Sequence, residues 1–216
     1  KTIIKKNYRR IDNVFIKKGY GLKDVILKII DDHFSEGYKA SGNTDYARLV
    51  DILSNRYHLD ITDMSPRKVK TLFSNHNYAL IAKSTYINSE YLPKLGSNLL
   101  FEIQEFITDN GPAVYYSSIY ENFKLEFMNY NINNRYYVKG VVDKELGEEY
   151  VPKKDYISTQ KGKTPKLAIK KLVLEHSGEV TLEEIKLHFK GVNDYVIHQI
   201  LDSEDEIIKL SGNRFT

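Results

Sequence analysis

The 216-residue sequence predicts a mainly α fold with small β-hairpins, built as three tandem copies of a module of three helices and a two-stranded ribbon. Three observations predict it. A capped helical segment recurs, an aromatic residue follows each copy at a fixed distance, and a pair of further helical segments precedes each copy. Internal repetition is weighed before any motif because it sets the architecture of the whole chain.

The recurring segment is clearest when residues 134–145 are set beside 193–204. Asn, Tyr, two apolar residues, two variable ones, two apolar residues, Asp and Glu stand in the same order. A third copy begins at Ser65. Its Val69, Leu72 and Phe73 fall where Val138, Val141 and Val142, then Ile197, Ile200 and Leu201, stand. The spacing i, i+3, i+4 puts each trio on one face of a helix. Ser65, Asn134 and Asn193 each supply a side-chain oxygen for an unpaired N–H of the first turn, and Pro66 suits the first helical position because it has no N–H.

Behind each helix comes a ribbon. Counting 21, 22 and 22 residues from Ser65, Asn134 and Asn193 arrives at Tyr86, Tyr156 and Phe215. Each aromatic closes a pair of β-forming stretches, 78–82 with 86–87, 150–152 with 156–157 and 207–210 with 214–215, around turns of about three residues. Ahead of each capped helix the patterning predicts two more. They span 22–34 and 46–57, joined by the polar run 35–44; then 99–109 and 116–128, separated by Asn110-Gly111-Pro112. In the last copy one helix runs from the Thr164-Pro165 cap to His176, and another from the Thr181 capping box to Lys190. The expected divisions are a basic leader over 1–19 and modules over 20–88, 97–158 and 164–216. Residues 4–8 echo the stretches before Tyr156 and Tyr86, so the leader reads as the closing strand of a preceding ribbon in a longer array.

Helix, helix, capped helix and ribbon, in that order, resemble the winged helix-turn-helix superfamily over nearly all of residues 20–216. The resemblance is one of architecture, without a family-specific signature, and it implies a fold more strongly than a function. It suggests DNA-binding regulators, tandem subunits of transcription machinery, and modules turned over to protein contacts. In such folds the capped third helix lies in the major groove with its N-terminal residues against base edges. The candidate DNA contacts are therefore Arg67, Lys68, Lys70 and Thr71 with Lys83 and Ser84 on the first ribbon, and Asn134, Arg135 and Lys139 with Lys153 and Lys154 on the second. In the third copy the same positions lead into Asp202, Glu204, Asp205 and Glu206, which repel phosphate.

Charge sharpens the contrast between copies. Residues 1–88 carry 16 Lys and Arg against 9 Asp and Glu, net +7; residues 89–158 carry 7 against 11, net −4; residues 159–216 carry 9 of each. Binding a polyanion releases counterions in proportion to the cations engaged, so the first module and its leader are the expected duplex contact. The leader cations Lys1, Lys5, Lys6, Arg9, Arg10, Lys17 and Lys18, and the group Lys161, Lys163, Lys166, Lys170 and Lys171, are weighed as further phosphate contacts. Tyr115, Tyr116, Tyr120, Tyr130, Tyr136 and Tyr137 read as packing residues rather than stacking platforms, and Tyr86, Tyr156 and Phe215 as anchors of the ribbons.

The remaining expectations concern what the residues lack. Without cysteine there is no disulfide and no thiolate zinc site. The histidines at 33, 58, 76, 176, 188 and 198 have no paired metal spacing, and no phosphate-cradling glycine loop or nucleophile elbow occurs. No catalysis, cofactor or metal is expected. The lack of an apolar run near the roughly 20 residues of a membrane span predicts a soluble, cytoplasmic protein. The functional expectation is a duplex DNA-binding protein in transcription regulation or the replication of a mobile element. The competing one is a protein-interaction scaffold in a larger transcription-type complex, contacting partners through modules 2 and 3.

Overall fold

Alternation of apolar residues at helical spacing, punctuated by caps, sets the element order in each repeat. The computed structural model describes residues 8–11, 14–61, 63–74, 77–159 and 164–216. These fall into two compact units that divide between Leu92 and Pro93, so the second and third repeats share one unit.

The first unit opens with a hairpin, β1 (Tyr8–Ile11) and β2 (Val14–Lys17), paired antiparallel. It continues with α1 (Leu22–His33), β3 (Tyr38–Lys39), α2 (Asn43–Tyr57), α3 (Pro66–Leu72), β4 (Tyr78–Ala82) and β5 (Thr85–Asn88). The second unit holds α4 (Ser97–Asp109), β6 (Ala113–Tyr115), α5 (Tyr116–Asn122), α6 (Lys124–Met128), α7 (Arg135–Leu146), β7 (Val151–Pro152) and β8 (Tyr156–Ser158). Then follow α8 (Pro165–Glu175), β9 (Val180–Thr181), α9 (Leu182–His188), α10 (Asp194–Asp202), β10 (Lys209–Leu210) and β11 (Arg214–Phe215).

Each repeat folds the same sheet. The strand orders are β3-β5-β4, β6-β8-β7 and β9-β11-β10, so a first strand always adds to the outside of the ribbon's last strand. This corrects the expected two-stranded ribbons, which are three-stranded antiparallel sheets among helices. The strand that sequence patterning misses is two or three residues long and lies just before the second helix, too short to show a period. In the first repeat it sits inside the polar run 35–44. Gly37 there has φ +95, and a Cβ on it would lie 3.1 Å from the carbonyl oxygen of Tyr86, so the run must pass against the ribbon without a side chain.

The three trios occupy equivalent places. Val69 and Phe73, Val138, Val141 and Val142, and Ile197, Ile200 and Leu201 are all buried, with Leu72 packed at the edge of its core. Each recurring aromatic stands opposite a residue of its first strand: Tyr86 against Tyr38, Tyr156 against Tyr115, Phe215 against Val180. Tyr86 also stacks on Phe73, rings parallel within 6° at 4.8 Å, which docks the first ribbon on its third helix. Asp31 of α1 ties down both ribbon strands, accepting from the Tyr78 hydroxyl and the Asn88 amide, each at 2.9 Å.

One expected helix is broken. The helix over 116–128 breaks at Phe123, where the backbone leaves helical geometry and the buried ring packs edge-on against Phe106 and Phe127. The leader, read as the end of an earlier ribbon, has Tyr8 in a hairpin that closes on Val14–Lys17. Residues 4–7 lie outside the described residues.

In the second unit the repeats touch backbone to backbone. Gly191, at φ +79 between α9 and α10, approaches Ser117 so closely that a Cβ would lie 2.6 Å from its carbonyl oxygen. Gly191→Ala therefore meets both a left-handed backbone and a clash, and should destabilise the second unit by about 1–3 kcal/mol. Urea unfolding followed by circular dichroism measures this, and an unchanged midpoint would refute the contact.

Candidate nucleic-acid interface

The first repeat's third helix begins at Ser65, whose hydroxyl accepts from the Lys68 N–H at 3.4 Å. Pro66 occupies the first turn, and Val69 and Phe73 turn inward. Burying that face dictates the other. Arg67, Lys70, Thr71 and Ser74 follow i, i+3, i+4, i+7 spacing and are exposed along one outer stripe. With Phe73 and Tyr86 they line a groove of about 530 Å³ between third helix and ribbon.

The expected contacts of this repeat occupy different positions around the groove. Arg67, Lys70 and Thr71 line it, and the Thr71 hydroxyl donates back to the Lys68 carbonyl at 2.6 Å. Lys68 points aside and donates to the Asp63 carbonyl at 3.3 Å. Lys83 is exposed at the ribbon turn, while Ser84, at φ 62, completes the turn and accepts from the Ala40 N–H at 2.7 Å. Among the described residues no carboxylate forms an ion pair with Arg67, Lys68, Lys70 or Lys83. Sequence reasoning passed over Ser74 as a groove residue and read Tyr86 as an anchor alone. The i+7 spacing from Arg67 is the signal for Ser74; Tyr86 carries none, because its place depends on the ribbon's docking.

The second repeat is arranged differently. Asn134 accepts from the Tyr136 and Tyr137 N–H groups at 2.9 and 3.1 Å and donates to Asn133 at 2.7 Å, so its amide serves the helix end. Arg135 is exposed, yet its guanidinium lies 5.0 Å from the centre of the neighbouring Tyr136 ring. It shares a groove with Asp155, a carboxylate that opposes an incoming phosphate. Lys153 and Lys154 are exposed on the turn.

Lys139 is engaged within its own repeat. Its ammonium pairs with Asp143 and sits 4.8 Å over the Tyr116 ring, while Asp143 also accepts from the Tyr116 hydroxyl. Burial raises the Asp143 carboxyl above its ordinary 3.8, against the opposing pull of Lys139 and Tyr116. Burial likewise pushes the Tyr116 phenol up, keeping it a donor.

The lysines on the first helix of the third repeat also meet carboxylates of the same unit. Glu204 bridges Lys166 at 2.6 Å and Lys170 at 2.9 Å, and Glu206 meets Lys170 at 3.1 Å. Lys171 pairs with Glu175 at 3.6 Å. Lys166 and Lys170 thus have the acidic segment after α10 as partner, and Lys171 a carboxylate of its own helix, which a phosphate would have to displace. Asp194 pairs with Lys186 at 2.8 Å, and Asp202 with Lys209 at 3.5 Å. Lys161 and Lys163 lie outside the described residues, as do Lys1, Lys5, Lys6 and His76.

Of the weighed tyrosines, Tyr116 is buried, Tyr115 packs edge-on against Tyr156, and Tyr120 stacks on Phe127. The Tyr130 hydroxyl accepts from the Gly96 N–H at 3.0 Å. Among the described residues no group of three His, Asp or Glu is placed to hold a metal ion, and no helix is long and apolar enough to cross a membrane. No protein-family model, curated protein or solved structure matches the chain.

The Lys139–Asp143–Tyr116 cluster gives a stability test. Lys139→Ala leaves the mostly buried carboxylate without its cation and should cost about 1–3 kcal/mol in urea unfolding at neutral pH. Because folding raises the Asp143 pKa, the folded state binds its proton more tightly. This contribution to stability is full below the ordinary carboxylate value and is lost as pH rises through the raised one. Over the pH range from the ordinary carboxylate value to neutrality, the stability of the wild type relative to Asp143→Asn should therefore fall. A constant difference across that range would count against the raised value.

Proposed function

We propose that this chain is a tandem winged-helix protein that binds duplex DNA through the third helix and ribbon of its first repeat, without covalent chemistry. The observation that carries the reading is the exposed stripe of Arg67, Lys70, Thr71 and Ser74 beside the ribbon turn of Lys83, on a short capped helix whose inner face is buried. Arg and Lys on such a helix reach phosphates and guanine edges, while Thr and Ser hydroxyls add shorter contacts. The recurring strand order, first strand outside the ribbon, supports the winged-helix reading. Regulation of transcription or replication of a mobile element is the setting in which such a module would work.

A second reading, a protein-contacting scaffold, is favoured for the second unit by a separate observation. Lys139, Lys166, Lys170 and Lys186 pair with carboxylates of the same unit, and Phe101, Leu125, Met128 and Leu187 are each more than half exposed. Apolar side chains left in water at several points suit contacts with other proteins better than contacts with phosphate.

The test is titration of the full chain with a labelled random duplex at several salt concentrations. The Arg67→Ala, Lys70→Ala double variant should weaken binding about tenfold or more and flatten the slope of log affinity against log salt by about two units. Lys139→Ala should leave duplex affinity unchanged. No binding by the wild type at low salt would refute the proposal.

A further inference from the structure

The β1–β2 hairpin carries a second surface with a different chemistry from the helix stripe. In an antiparallel pair, residues directly opposite share a face and alternate residues share it along each strand. The register sets Tyr8 opposite Lys17 and Arg10 opposite Phe15. These four residues therefore stand on one face, and all four are exposed, Tyr8 by 41% and Phe15 by 58%. Ile16, which points the other way, is 4% exposed. The ribbon thus buries Ile16 on one face and presents the other to water with two aromatic rings and two cations in a checkerboard.

From this arrangement we infer that the hairpin is a binding platform for single-stranded nucleic acid. Tyr8 and Phe15 are diagonal neighbours, about 7–8 Å apart at the backbone. Two exposed rings at that separation each offer a flat face to a base that duplex pairing does not hold away, and Arg10 and Lys17 lie between and beside them for the phosphates. Charge complementarity selects the occupant. Residues 1–88 carry the chain's positive excess, 16 cations against 9 anions, and among the described residues of the hairpin this face holds no carboxylate. An apolar protein surface would desolvate the Lys17 ammonium on this face, whereas a polyanion with planar bases suits the two rings and the exposed cations together. The surface is independent of the helix stripe: stacking needs unpaired bases, and the stripe is read as a duplex contact.

The chain has no Trp, so Phe15→Trp introduces a single fluorescent reporter on this face. The full-length variant should be quenched on adding oligothymidine or oligouridine of about twenty nucleotides, and not on adding inorganic polyphosphate, which supplies charge without bases. By anisotropy, Tyr8→Ala and Phe15→Ala should each weaken oligothymidine binding at least about fivefold and leave duplex affinity unchanged, with Tyr8→Phe close to wild type. The Arg67→Ala, Lys70→Ala variant should stay within about twofold of wild type on oligothymidine while losing duplex affinity, which keeps the two surfaces distinguishable. Wild-type affinity in both alanine variants, equal quenching by polyphosphate, or no oligothymidine binding would overturn the inference. Circular dichroism of each variant confirms that the fold is retained.

Discussion

Each repeat depends on hiding three apolar side chains of its third helix. Seven to twelve residues of helix have little stability alone, so the helix persists only while that inner face is covered. The cover comes from the first two helices and the sheet. In the first repeat it includes the parallel stack of Tyr86 on Phe73 and the Asp31 link from α1 to both ribbon strands. Once the inner face is fixed, the 3.6-residue period leaves the outer one no choice, and the polar stripe must face water.

What a repeat can then bind is decided by where its cations find anions. The three third helices share caps, burial and sheet order, yet they differ in surface chemistry. In the second and third repeats, carboxylates from the same unit reach Lys139, Lys166, Lys170 and Lys186, so much of the formal positive charge is neutralised locally. On the first repeat's helix no such carboxylate appears among the described residues. A sum of charges along the sequence treats these lysines alike; their partners in space separate them.

The features legible in the sequence were those set by near neighbours. Caps at Ser65, Asn134, Thr181 and Asn193, the apolar trios and the ribbon aromatics all arise from spacings of a turn or from a repeated distance, and the helix bounds followed within a few residues. What escaped depends on distant pairing. The first strand of each sheet has two or three residues and exists only because the ribbon offers an edge. The Lys166–Glu204 link spans most of a repeat. The β1–β2 hairpin was missed although β-formers flank the polar pair at 12 and 13, because the leader was read by its charge and not by its alternation. At the candidate site, Arg67, Lys70 and Thr71 were readable from the cap onward, whereas the inward turn of Lys139 toward Asp143 required knowing that Tyr116 packs beside it.

The close approach of Gly191 to Ser117 limits where the chain can be cut. The third repeat meets its neighbour at main-chain level, with no side chain between the two. A chain ending after β8 would strip cover from Ser117 and from Gly111, which packs near Ala168, exposing a raw seam. Repeats two and three therefore stand as one body, and the chain is easier to divide between Leu92 and Pro93 than between them.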